Sequence, residues 1–147
     1  MNEGALVRVR DVMKSDFDMI DGKTTVEDAL KTMRHVDTKS LIVNKRHDND
    51  EYGMVLLSDI AKQVLAKDRS PKRVNIYEIM AKPVVTVRPD MDIRYCARMF
   101  EQFGLSRAPV LEHDKVIGIV SFTDMVLRGL TEKLPPIPHP AGSLCPW

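Results

Sequence analysis

Apolar positions in this chain switch period as it proceeds, and they do so twice in the same order. Val26, Ala29, Leu30, Met33 and Val36 fall at the three- and four-residue spacing of one helical stripe. Thr24 and Glu27 have capping-box spacing at its start. A short apolar run at 17–20, closed by Asp21-Gly22, predicts a strand before this helix. Two more apolar runs, 41–43 and 52–57, flank the polar turn 44–51 and read as paired strands. Ile60, Ala61, Val64 and Leu65 then give one side of a closing helix, so the unit reads β-α-β-β-α.

The second half repeats the sentence: strands at 84–87, 108–111 and 116–120, with helices at 92–103 and about 123–130. Val9-Arg-Asp-Val-Met13 matches Ile76-Tyr-Glu-Ile-Met80 at an offset of 80 − 13 = 67. At that offset Val26 falls on Ile93, Ala29 on Cys96, Met33 on Phe100 and Val43 on Val110. Gly53-Met-Val-Leu-Leu-Ser-Asp-Ile60 and Gly118-Ile-Val-Ser-Phe-Thr-Asp-Met125 are 118 − 53 = 65 apart, so the first copy carries two extra residues in turn 44–51. Insertions belong in such turns. The organisation is repeat 1 at 6–68, a basic linker at 69–75 containing Ser70-Pro71, repeat 2 at 76–131, and a proline-rich tail at 132–147. Pro135, Pro136, Pro138, Pro140 and Pro146 break any helix there, so the tail is expected to be extended, and mobile or laid on a neighbouring subunit. A unit of about 60 residues is marginal alone, which predicts one α/β (α+β) module of two pseudo-two-fold repeats packed around a cleft.

Composition narrows the function classes. Twenty-two basic against 21 acidic residues leave a net charge of +1, so no global field recruits nucleic acid or anionic lipid. The start lacks the layout of a signal peptide and no apolar run reaches membrane-spanning length, which predicts a cytoplasmic protein. His35, His47, His113 and His139 show no metal-ligand spacing, and His47-Asp-Asn-Asp-Glu51 lacks the glycine and terminal glutamate of a calcium loop. Cys96 takes an alanine-like place on a core stripe, and the methionines read as core filling. No nucleophile–base pair emerges, which points away from an enzyme.

Chemistry concentrates at the two junctions where a strand hands over to a helix. Unpaired N–H groups and the helix dipole meet hydroxyl and carboxylate side chains there, which suits a phosphorylated ligand. The second copy offers Ser121, Thr123 and Asp124, whereas the first has Leu56 in place of Ser121 and keeps Ser58 and Asp59. A carboxylate can accept both hydroxyls of a ribose, and a phosphate is matched by a guanidinium such as that of Arg107. The plainer account is that Thr123 caps the last helix and Asp124 complements its dipole, with a cap contributing about 0.5–2 kcal/mol.

The Asp-Val-Met and Glu-Ile-Met lead-ins, the apolar-Pro-Val strand Ala108-Pro109-Val110 and the Gly-x-Val-Ser-x-x-Asp segment, set in two tandem units, resemble a CBS domain pair, or Bateman module. The resemblance covers about residues 6–131 and implies a stand-alone regulatory module. It would bind an adenosine-containing ligand between the repeats: AMP, ADP or ATP, less readily S-adenosylmethionine or NAD. It implies that Ser121 meets the phosphate, Asp124 the ribose and Arg107 the phosphate, next to Ala108 and Pro109, while Pro83, Val84, Val85 and Thr86 line the adenine. The first repeat departs from the pattern with Leu56, Ser40 in place of the arginine, and Ile42 in place of the proline. Ser40, Ser58 and Asp59 therefore make a weaker site. The resemblance further implies a homodimer formed through helices and a separate target protein, unnamed by the sequence. A ligand-independent adaptor, its cleft filled by its own side chains, is the alternative.

Overall fold

The computed structural model describes residues 6–131; the tail at 132–147 lies outside them. In chain order the elements are α1 (Val9–Val12), β1 (Met19–Ile20), α2 (Val26–Thr32), β2 (Ser40–Val43), β3 (Gly53–Leu56), α3 (Leu57–Ile60), α4 (Ile93–Phe103), β4 (Arg107–Glu112), β5 (Lys115–Ser121) and α5 (Phe122–Gly129). A π-helical turn, Ala61–Leu65, continues α3, and single 3-10 turns occupy Val36–Thr38 and Ile76–Glu78.

In the first repeat β1 runs parallel to β2, and β2 pairs antiparallel with β3 in the register Ser40↔Leu56 to Val43↔Gly53. In the second, β4 and β5 form an antiparallel hairpin from Arg107↔Ser121 to Glu112↔Lys115. Its turn residues His113 and Asp114 both have positive φ, the backbone that matches the twist of a two-residue hairpin. The strand expected at 84–87 does not form a ladder. Val87 makes one parallel bridge to Val110, and residues 83–86 run as irregular chain, because only Val87 of that run is buried. The helix expected to reach Val36 ends at Thr32; Val36 beyond it and Leu30 within it are both exposed, so neither belongs to the buried stripe. Its cap is Thr25, whose hydroxyl accepts from the N–H of Asp28 at 3.2 Å, one residue later than the Thr24 box.

The repeats are joined by exchange of their lead-ins. The bridges Arg8↔Asp92 and Lys14↔Ile119 tie the first lead-in to the second repeat, while Thr25↔Asn75 and Met54↔Ala81 tie the second lead-in to the first. The cores follow this exchange. Val7, Val9 and Val12 pack with Ile93, Cys96, Phe100, Ala108, Val110, Val120 and Met125. Val74 and Ile76 pack with Val26, Ala29, Leu41, Val43, Val55 and Val64. Residues 69–75 are thus a linker only in part, since Val74 is 2% exposed.

The exchange explains the duplicated glycine and methionine. A Cβ on Gly118 would lie 2.7 Å from the Lys14 carbonyl and 2.8 Å from Met13 Sδ. A Cβ on Gly53 would lie 2.9 Å from Met80 Sδ and 3.2 Å from the Ala81 carbonyl. Each strand glycine is the gap through which the other repeat's lead-in reaches the sheet. Cys96 is wholly buried, and that burial pushes its thiol up to about 11, as expected of an inert core residue.

Candidate functional site

The β4–β5 ladder sets Arg107 directly opposite Ser121, the last residue before α5. Ser121 has extended backbone and its hydroxyl oxygen accepts from the N–H of Asp124 at 3.1 Å, so Ser121, not Thr123, caps the helix. Thr123 is exposed. The Ser121 hydroxyl also donates to Asp124 Oδ2 at 3.0 Å. The same exchange that seats the first lead-in brings Lys14 here, and its Nζ donates to Asp124 Oδ1 at 2.7 Å. Asp124 is 5% exposed, so a buried carboxylate is held by one hydroxyl and one ammonium.

Arg107 reaches across to the first repeat. One of its terminal nitrogens donates to the Thr38 carbonyl oxygen at 2.5 Å. Burial lowers its pKa and the Asp124 carboxylate opposes that shift, which places the two charges within each other's field. Arg107, Ser121 and Asp124 therefore converge at the seam between the repeats. Ala108 and Pro109 are buried beside them in β4. The parallel bridge of Val87 to Val110 leaves Pro83, Val84, Val85 and Thr86 at the Arg107 end of β4, with Val85 39% exposed. Sequence reasoning missed Lys14 and Thr38. For Lys14 the duplicated Val-Met lead-in was the signal, since it had to touch something in both copies, whereas Thr38, in the turn before β2, had none.

The corresponding first-repeat residues are turned to local use. Asp59 accepts the N–H of Leu56 at 2.9 Å, Ser40 is wholly buried and donates to the Thr38 carbonyl at 3.2 Å, and Ser58 is exposed. Leu56 stands at the helix start with no side-chain cap. Among the described residues no group of His, Cys, Asp and Glu is arranged to hold a metal ion, and no helix is long and apolar enough to cross a membrane.

The profile of the CBS domain matches this chain twice, at residues 9–66 and 76–129. The chain is 36% identical to a hexameric CBS-CP12 protein from bloom-forming cyanobacteria, with a TM-score of 0.82 over 90% of this chain and 76% of that one. The CBS domain pair of protein MJ0100, in complex with 5′-methylthioadenosine and S-adenosyl-L-methionine, shares the fold at a TM-score of 0.73 and 23% identity, covering 88% of this chain and 100% of that one. Among curated proteins it is 30% identical to an uncharacterized protein of Methanopyrus kandleri over 105 residues, 71% of this chain and 53% of that one. It is 34% identical to a homoserine O-acetyltransferase of Methanosalsum zhilinae over 115 residues, 78% of this chain and 22% of the enzyme. The chain thus spans about half the length of the first relative and less than a quarter of the second.

Proposed function

The chain belongs to the CBS domain family, and from that premise we propose that it is a regulatory module that takes one adenosine-containing ligand at the seam beside Arg107, Ser121 and Asp124. The convergence of those three residues at the end of the β4–β5 ladder carries this reading. On entry the ribose hydroxyls donate to Asp124, and Arg107 exchanges the Thr38 carbonyl for a phosphate or other anionic oxygen. Lys14 stands beside the same carboxylate as a second cation. The ligands of the MJ0100 pair support the adenosine class; AMP, ADP and ATP are our preferred members because a guanidinium, a hydroxyl and an ammonium meet here. Ser40, Ser58 and Asp59 leave the first-repeat site the weaker one.

Binding changes how the repeats press together, since Arg107 and Lys14 each join one repeat to the other. We read the output as altered contact with a separate target protein in the cytoplasm. Exposed apolar side chains on α4 and α5, Tyr95, Phe103, Val126 and Leu127 at 43–60% exposure, support a homodimer through helices.

A melting screen with AMP, ADP, ATP, NAD and S-adenosylmethionine tests the reading. Ligand at a hundred times its dissociation constant adds about 2.7 kcal/mol of stability. A specific observation favours the adaptor as second reading: Arg107–Thr38 and Lys14–Asp124 already occupy the seam. An unmoved melting temperature with all five compounds selects the adaptor.

A further inference from the structure

A cavity of about 630 Å³ opens at the other end of the first repeat's sheet, where the carboxyl ends of β1 and β2 face the second lead-in. Its wall carries Lys23, Arg46 and Lys82 together with Asn75, Tyr77 and Met80. None of the residues proposed for the adenosine ligand lines it.

The repeat supplies its own comparison. The matching corner of the second repeat, bounded by Arg10, Arg88, Asp90 and Glu112, holds about 220 Å³. At the 67-residue offset Gly22 is replaced there by Pro89 and Asn44 by Leu111, while Tyr77 corresponds to Arg10. Arg10 and Glu112 stand 4.0 Å apart across that smaller space. In the first repeat a Cβ on Gly22 would meet Tyr77 Cβ and Val43 Cγ1 at 3.4 Å, ordinary van der Waals contact, so a larger side chain there would crowd the Tyr77 wall.

The longer turn of the first repeat borders this cavity. Turn 44–51 brings Arg46 to the wall and is pinned by Asp50, whose side chain is 10% exposed. Asp50 accepts from Lys82 Nζ at 2.7 Å and from the Arg46 N–H at 2.9 Å, with the Arg46 guanidinium 3.5 Å away. One carboxylate thereby fixes two cations from separate segments at the rim. Asp21, also on the wall, is engaged by its own loop, accepting the N–H of Lys23 at 2.8 Å. Three cations against Asp21 and Asp50 leave 3 − 2 = one positive charge in excess.

We propose that this cavity is a second small-molecule site, for an oxyanion carried on a ring. The ring lies against Tyr77 and Met80, and the anionic group is met by Lys23, Arg46 and Lys82. Tyr77 is 53% exposed, so its ring is open to such a partner. The site is independent of the adenosine reading.

Phenyl phosphate is the probe, followed by backbone amide shifts in the full chain, with phenol and inorganic phosphate as controls. The expected result is saturable shifts at Gly22, Asn44, Arg46 and Tyr77, with both controls at least about tenfold weaker because each supplies half of the recognition. Arg46→Gln and Lys82→Gln each weaken the probe several-fold, Gly22→Val weakens it by crowding the Tyr77 wall, and Asp124→Ala leaves it unchanged. The proposal is overturned by non-saturating shifts, by shifts confined to the Arg107–Asp124 seam, or by phenol binding as well as its phosphate. Should Gly22→Val unfold, the two glutamine variants still decide.

Discussion

Asp124 is the residue on which the ligand reading turns, and its surroundings make it testable. Its carboxylate is held by Ser121 and Lys14 at 5% exposure, which costs stability unless both partners stay in place. Asp124→Ala is expected to abolish the melting shift given by the adenosine ligand. If variant and wild type respond equally, the ligand binds elsewhere. The variant will also start from a lower melting temperature, so it is the shift that must be compared. The side chain at this place was legible in the sequence as a Ser-x-x-Asp opening a helix, but its role as half of a buried ion pair was not. Lys14 lies 110 residues away, and no local spacing predicts such a partner.

At the scale of elements, the strand glycines and the polar turn carry the sharpest expectations. Gly118 admits the Met13-Lys14 backbone, and Gly118→Ala would press a methyl group to within 2.7 Å of a carbonyl oxygen. Overpacking of this kind costs about 1–3 kcal/mol, to be read as a lowered urea midpoint. The backbone atom there cannot swing away as a flexible side chain would. For the turn, Asp50 is held well below the ordinary carboxylate range, first by Lys82 and then by the Arg46 N–H. A depressed folded-state pKa means that its stabilisation is present above the unfolded value, about 3.9, and is lost as pH falls below it. Asp50→Asn should therefore flatten the acid limb of melting temperature against pH, while the wild type falls more steeply below about pH 4. An equal slope in both would mean that the Lys82 contact is not formed in solution. The sequence showed the inserted turn and its polarity. What it could not show is that the turn closes on Lys82, 32 residues further on.

The whole molecule is decided by the exchanged lead-ins. Val7, Val9 and Val12 are wholly buried in the second repeat's core although they belong to the lead-in of the first. Three buried valines contribute roughly 5–9 kcal/mol of burial. That is comparable to the total stability of a domain, about 5–15 kcal/mol. A chain beginning at residue 15 should therefore lose cooperative melting altogether, with the second repeat opening along with the first. Circular dichroism during heating checks this, and a sharp transition in the truncated chain would refute the exchange. The apolar face of α4 and α5 carries the other expectation at this scale. Light scattering should report a dimer for the wild type and a monomer for Leu127→Glu, whose site is 43% exposed within one chain. A monomeric wild type would remove the dimer from the proposal.

The sequence by itself determined the duplication, the presence of a helix after Thr24 and of another over 92–103, the two hairpins and the inequality of the two junctions, but it carried the first helix on to Val36 where the structure ends it at Thr32. These follow from local period, from caps and from the offset between the copies. It also marked Ser121 and Asp124 by residue type and position, and Arg107 through the resemblance to a CBS domain pair. Tertiary structure alone decided that residues 83–86 do not form a strand, that Ser121 rather than Thr123 caps α5, and that Lys14 and Thr38 complete the seam. Lys14 and Thr38 were hidden because each meets its partner across the two repeats. The lead-ins cross between repeats, so contacts there are set by the packing of distant segments, which period and local propensity do not encode.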